Sequence, residues 1–388
     1  MKNEPLPNRA LQRQLILRDS LVFFTLVLIT VFLFLTTLLL FRSFSSHREE
    51  LGQRWYSRGQ RDLANAHAED AIFDLRAALG YAPADTDYQF LLAEALKNAG
   101  KTDEAYNYFS ELREADPGSG PLNLQLARLS AQRNNASDAL HFYRAAIYGT
   151  WDNNLVGNRR AVRLELIRSL LASGNTETAR TELLIASEDT NDDTPSELQI
   201  AALMNGAGDN ASALSLFQKT LTHAPKNVTA LEGAGTAAFN LGRYTTAQRY
   251  FRSAEEHARP ASLSAATATR LAEATRILEL YPTQDLPRSE RLKRNQQFLT
   301  LVRTQLVDCR LQTAGKDEAD TLTQLDDQWK ANVQKFSPNR LRNDLELQTS
   351  ELPLAYDTLD QTRIFCPAKA GDDLLLQKIS IARDKVLQ

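Results

Sequence analysis

Residues 52–85 read GQRWYSRGQRDLANAHAEDAIFDLRAALGYAPAD, and their pattern returns down the chain at a fixed spacing. Ala71 opens the row Ala71, Ala105, Ala139, Ala179, Ala213 and Ala247, whose members are separated by 34, 34, 40, 34 and 34 positions. Four residues after each alanine stands a bulky side chain: Leu75, Phe109, Tyr143, Leu183, Phe217 and Phe251. Seven after each comes a mostly small one: Ala78, Leu112, Ala146, Ala186, Thr220 and Ala254. Offsets of 0, 4 and 7 share one face of an α-helix, so every unit predicts a helix with a single apolar stripe. Five positions before each alanine lies Ala66, Gly100, Asn134, Gly174, Gly208 or Gly242, a row suited to the left-handed residue that closes a preceding helix. That preceding helix is visible as LLAEAL at 91–96, LNLQLARL at 122–129, LELIRSLL at 164–171 and LQIAALM at 198–204. The reading is an all-α chain built from antiparallel helix pairs.

A 34-residue unit with these small, aromatic and proline positions resembles the tetratricopeptide repeat family. The first unit matches it at Trp55, Gly59, Ala71, Ala78 and Pro83, and Pro117 and Pro225 recur in register. Gln89, Asn123 and Leu231 stand where the family has Trp. The resemblance implies about six helix-pair repeats at 52–85, 86–119, 120–153, 160–193, 194–227 and 228–261, with six extra residues at 154–159, stacked into an α-solenoid because one pair cannot bury its apolar face alone. Residues 262–282 then predict a capping helix. Helical stretches at 288–312, 316–335, 340–359 and 371–387 predict a helical C-terminal region over 283–388.

Before the repeats, Leu21 to Phe41 read LVFFTLVLITVFLFLTTLLLF, 21 residues without a charge. At 1.5 Å per residue they make about 31 Å of helix, enough for a hydrocarbon core of about 30 Å, so a transmembrane helix is expected. Its threonines, Thr25, Thr30, Thr36 and Thr37, are able to bond back to carbonyls one turn earlier. A cleaved signal peptide is the rival, but the apolar run exceeds the usual 7 to 15 residues (roughly) of such a segment. Residues 1–20 are then a cytoplasmic head and 42–51 a juxtamembrane linker. The flanking positive charges tie, five on each side counting the amino terminus, so orientation rests on the short head and on the ease with which large domains translocate. Both arguments place the bulk of the chain on the exported side.

With 45 Lys+Arg against 48 Asp+Glu, no basic surplus exists to neutralise a phosphate backbone, and nucleic acid is not an expected partner. The histidines His47, His67, His141, His223 and His257 show no metal-ligand spacing, and neither a phosphate-cradling loop nor a nucleophile motif occurs. No cofactor, metal or catalytic residue is assigned. Cys309 and Cys366 are the two cysteines, 57 positions apart. Export would favour a bond between them; otherwise they are two buried thiols.

The resemblance implies a groove lined by the first helices of successive repeats, where a peptide or a partner's helix lies. On these helices Gln60, Glu94, Asn98, Arg128, Gln132, Arg168, Asn205 and Asn240 are the candidate contacts. Side-chain amides offer a donor and an acceptor to an extended backbone, and Arg128 and Arg168 suit a carboxylate. The expected function is a membrane-anchored, non-enzymatic scaffold for protein or peptide partners in envelope assembly, secretion or folding of exported chains. The rival is a membrane-tethered enzyme acting through residues 283–388, which requires a polar cleft with clustered titratable groups there.

Overall fold

A computed structural model describes residues 9–190, 193–258, 264–283, 285–313, 319–335, 338–368, 370–383 and 385–386. The first eight residues of the head, and Ser262 and Leu263 of the capping segment, lie outside the described residues. Among the described residues there is no strand, only an isolated bridge between Ser119 and Thr150. The chain divides into two compact units, Met1–Val162 and Arg163–Gln388.

The first unit begins with α1 (Arg9–Ala64), one unbroken helix of 56 residues. It continues with α2 (Ala68–Tyr81), α3 (Thr86–Asn98), α4 (Thr102–Ala115), α5 (Gly120–Gln132) and α6 (Ala136–Tyr148), each packed on its neighbours in the chain. The juxtamembrane residues 42–51 are helical and part of α1. They contain neither Gly nor Pro, and nothing in the backbone stops the helix where the apolar run ends at Phe41. Arg48 Nη2 donates to Tyr81 O at 2.6 Å, tying this segment to the end of α2. Upstream, α1 is long and apolar enough to cross a membrane, and Leu21 to Phe41 stand exposed in bulk. Thr25 and Thr36 donate to the carbonyls of Val22 and Leu33, three residues back, at 2.9 Å each. Thr30 and Thr37 do the same to Leu26 and Leu33, four residues back, at 2.6 and 2.7 Å. Each of these four hydroxyls thus has an acceptor within its own helix, as a helix in an apolar solvent requires.

The second unit opens within α7 (Leu155–Ala172) and runs through α8 (Thr176–Glu188), α9 (Thr194–Gly206), α10 (Asn210–His223), α11 (Val228–Asn240), α12 (Tyr244–His257) and α13 (Ala265–Leu280). It ends with α14 (Arg288–Thr313), α15 (Ala319–Lys335), α16 (Pro338–Asn343), α17 (Leu345–Phe365) and α18 (Gly371–Ala382). A single buried cluster extends from Leu164 through Phe217, Phe251, Phe298 and Leu359 to Val386. The last helices thus share one core with the repeats of this unit. They also fold back on it: Arg276 meets Asp372 at 2.8 Å, Lys378 meets Glu273 at 2.6 Å, and Thr245 N donates to Val386 O at 3.1 Å. The helical stretch expected at 340–359 is broken, because Asp344 caps α17 by accepting from Leu347 N, and the stretch expected at 371–387 stops as a helix at Ala382.

Every helix pair closes on the row picked out by the period. Ala66, Gly100, Asn134, Gly174, Gly208 and Gly242 all have positive φ, between 57° and 78°. Ala66, at φ 61°, carries the Cβ cost of that conformation, which glycine lacks. Ala66→Gly is expected to stabilise the first unit by about 0.5–1 kcal/mol, read as a higher urea midpoint. An unchanged or lower midpoint would show that glycine's entropy in the unfolded chain outweighs the relief.

The position that the family fills with Trp is where this chain departs most, and polar groups are satisfied there one by one. Gln89 Nε2 donates to Pro83 O at 2.8 Å, and Asn123 Nδ2 to Pro117 O at 3.0 Å, each stitching a first helix to the turn six residues before it. Asn123 Oδ1 also accepts from Arg113 Nε at 2.9 Å. In the next two repeats the same place holds Arg163, paired with Glu182 and Asp189, and Glu197, paired with Lys219 at 3.0 Å and His223 at 3.2 Å. Glu197 is fully buried, and Thr220 Oγ1 donates to it at 2.8 Å. Only such pairing makes a buried charge tolerable.

Candidate functional site

In the first unit the candidate contact residues lie at the end of α1 and on α3 and α5. Gln60, Asn98 and Gln132 are exposed, while Glu94 and Arg128 are half-buried. The structure joins Glu94 to two residues that spacing alone did not single out. Gln125 Nε2 donates to Glu94 Oε1 at 2.9 Å, and Lys97 Nζ donates to Gln125 Oε1 at 2.8 Å. One buried amide on α5 is held at both ends by α3, so the carboxylate and the ammonium are fixed in place instead of swinging freely. Nearer the apolar segment, Tyr56 stacks on Tyr88 with ring centroids 4.7 Å apart and planes 18° apart, and Tyr88 Oη donates to Gln53 Oε1 at 3.2 Å. Burial, with Asp87, Asp85 and Glu94 nearby, pushes the Tyr56 phenol up and keeps it a hydrogen-bond donor. Tyr56, Lys97 and Gln125 lie four residues before Gln60, three after Glu94 and three before Arg128, on the same helix faces. That offset was the available signal.

In the second unit Arg168 is exposed on α7. Asn205 on α9 donates through Nδ2 to Gly233 O at 3.3 Å, while its Oδ1 is buried without a partner. Asn240 donates to Asn210 Oδ1 at 3.1 Å, so Asn205 and Asn240 are each engaged with a neighbouring repeat and not with one another. Arg270 Nη1 reaches Thr236 Oγ1 at 3.3 Å from the capping helix. Among the described residues no group of His, Cys, Asp and Glu is arranged to hold a metal ion. His223 serves the buried Glu197, and His257 Nδ1 lies 2.8 Å from Ser253 O of its own helix, so the two histidines occupy separate settings. Asn135 and Asn227, which begin glycosylation-type triplets, cap α6 and α11 through their side chains.

The C-terminal helices bring Cys309 of α14 and Cys366, at the end of α17, together as a disulfide with Cα atoms 5.7 Å apart. They also form a polar cleft of about 600 Å³ between the start of α14 and the start of α17. Its hydroxyls are engaged locally, Thr349 to Leu345 O at 2.8 Å, Ser350 to Leu347 O at 2.7 Å and Thr283 to Asp285 Oδ2 at 3.3 Å. Its lining includes the titratable Arg288, Arg291, Asp344 and Glu346.

Tetratricopeptide repeat models match residues 56–120 and 206–262 in one case and residues 96–148 in another, which supports such repeats in both units. No curated protein matches the chain in sequence. Among solved structures the chain is similar to PilF of Pseudomonas aeruginosa, at 16% identity and a TM-score of 0.38, over 59% of this chain and 99% of that one. It is likewise similar to PilW, described as a type IV pilus biogenesis factor, at 17% identity and a TM-score of 0.38, over 57% and 98% of the two chains. For YrrB, described as having an unusual peptide-binding site, the values are 16%, 0.37, 52% and 97%. At these scores the likeness decides nothing about function.

Proposed function

We propose that this chain is a membrane-anchored, non-enzymatic scaffold that holds a protein or peptide partner along the first helices of its tetratricopeptide repeats, on the exported side of the membrane. The observation that carries the reading is the continuity of α1. The apolar segment and the first groove residue, Gln60, lie on one helix, and the 19 residues from Phe41 to Gln60 span about 28 Å. A groove mounted this way is presented at a set height above the bilayer, which suits a partner that is itself membrane-bound or emerging from the membrane. Two further features agree with an envelope role in assembly, secretion or folding of exported chains: the Cys309–Cys366 bond, which persists in oxidising compartments, and a groove whose amides bind backbone without reading side chains.

A photo-crosslinking residue at Gln60, Asn98 or Gln132 is expected to trap partners in intact cells, whereas the same residue at Phe73, exposed on α2, is not. Arg128→Ala and Arg168→Ala are each expected to weaken capture by about tenfold at low salt, the effect fading as salt screens the charge. Capture equal at Phe73 and at the groove positions, or indifferent to both arginines, would reject the groove. A reporter active only outside the cytoplasm, fused after Gln388, tests the side of the membrane independently.

A further inference from the structure

We infer that the cleft between α14 and α17 is a carboxylate-binding site, separate from the repeat groove. Arg288 and Arg291 stand one turn apart at the start of α14, and Asn295 follows one turn later on the same face; all three line the cleft. Among the described residues neither arginine forms an ion pair, and Arg291 Nε is buried with no acceptor. Asn295 is only 4% exposed and its amide makes no hydrogen bond to any described residue. Burying a guanidinium edge with nothing to bond costs free energy that an arriving ligand would recover. Of the other charged groups at the start of α14, Glu290 pairs with Arg294, whose Nη1 donates to Leu278 O at 2.6 Å. The amino end of a 26-residue helix adds positive potential to that of the two arginines.

The opposite wall selects the anion. Asp344 is held below the usual carboxylate range by the backbone N–H of Leu347 and by Arg340, so it is ionised and already satisfied. Glu346 beside it is exposed and carries a second negative charge. A doubly charged phosphate would meet both, whereas a planar monoanion fits the fork of a guanidinium and the amide of Asn295. Pro282, Leu345 and Leu352 line the same cleft and offer an apolar surface to a short aliphatic group attached to the carboxylate. The ligand class is therefore an aliphatic carboxylate, supplied either by a peptide's carboxyl terminus or by a free acid.

The test uses the full chain in detergent and a fluorescein-labelled pentapeptide ending in leucine, with its carboxamide twin, read by anisotropy. The free acid binds about tenfold or more tightly than the carboxamide, and Arg288→Ala, Arg291→Ala and Asn295→Leu each weaken it by about tenfold, while Arg252→Ala, exposed on α12, leaves it unchanged. Displacement of the peptide by 4-methylpentanoate assigns the site to free acids as well; failure to displace it assigns the site to peptide termini. Equal binding of acid and carboxamide, binding of inorganic phosphate as tight as that of the peptide, or affinity unmoved by Arg288→Ala overturns the site. Arg288 is exposed and outside the core, so its variant decides the matter even if Arg291→Ala or Asn295→Leu does not fold.

Discussion

Phe251→Ala lowers the stability of the second unit by about 3–5 kcal/mol, the range for truncating a fully buried aromatic ring. Phe251 is 0% exposed, and its ring lies where a side chain on Gly235 would be: a Cβ built there falls 2.5 Å from Cδ1 and Cε1 of the ring. Glycine on α11 and phenylalanine on α12 are therefore one fitted pair, and the alanine variant leaves a void where the ring was. Gly235→Ala in the native background costs less, about 1–3 kcal/mol, because the clash is relieved by shifting the ring. The combination tests the pairing: a Cβ at 235 partly fills the void, so the double variant is expected to be less destabilised than the sum of the single ones. Urea midpoints followed by circular dichroism give all four values. Strict additivity, or a loss below about 1 kcal/mol for Phe251→Ala, would mean that the two side chains do not share that space.

Breaking the disulfide has a comparable effect by a different route. Cys309 and Cys366 close a segment of 57 positions, and in the chain-entropy model releasing a loop of that length costs about 4 kcal/mol. Cys309 is 1% exposed on α14, and α14 packs on α17, so the bond secures the contact that also builds the carboxylate cleft. The Cys309→Ser, Cys366→Ser variant and the reduced native chain are both expected to show lower urea midpoints for the second unit, with the first unit unaffected. If oxidised and reduced chains melt together, the bond contributes nothing that packing between α14 and α17 does not already supply.

Local, periodic signals were legible in the sequence because they depend on neighbours three and four residues away. The 34-residue period marks the paired helices and their stripes, and the row from Ala66 to Gly242 marks the left-handed residues. The apolar run from Leu21 to Phe41 and its threonine back-bonding follow from composition in the same way. What escaped was of longer range. The end of the apolar run at Phe41 reads as the end of an element, yet helix continuity depends on the absence of breakers, and α1 passes through to Ala64.

The sequence marks Gln60, Glu94, Asn98, Arg128, Gln132, Arg168, Asn205 and Asn240 by their place in the repeat, but not the contacts they make. Gln125 grips both Glu94 and Lys97 only because α5 lies beside α3, and Asn240 turns to Asn210 only because the repeats stack. The buried Glu197 with Lys219, Thr220 and His223 replaces an expected aromatic by a charge that is stable solely through partners more than 20 residues away. The cleft joins residues 282–295 to residues 344–352, and the bond joins Cys309 to Cys366. Periodicity is written in the chain because a helix repeats every few residues. Which distant helices meet is decided by how their apolar surfaces fit, and that fit exists only once the chain has folded.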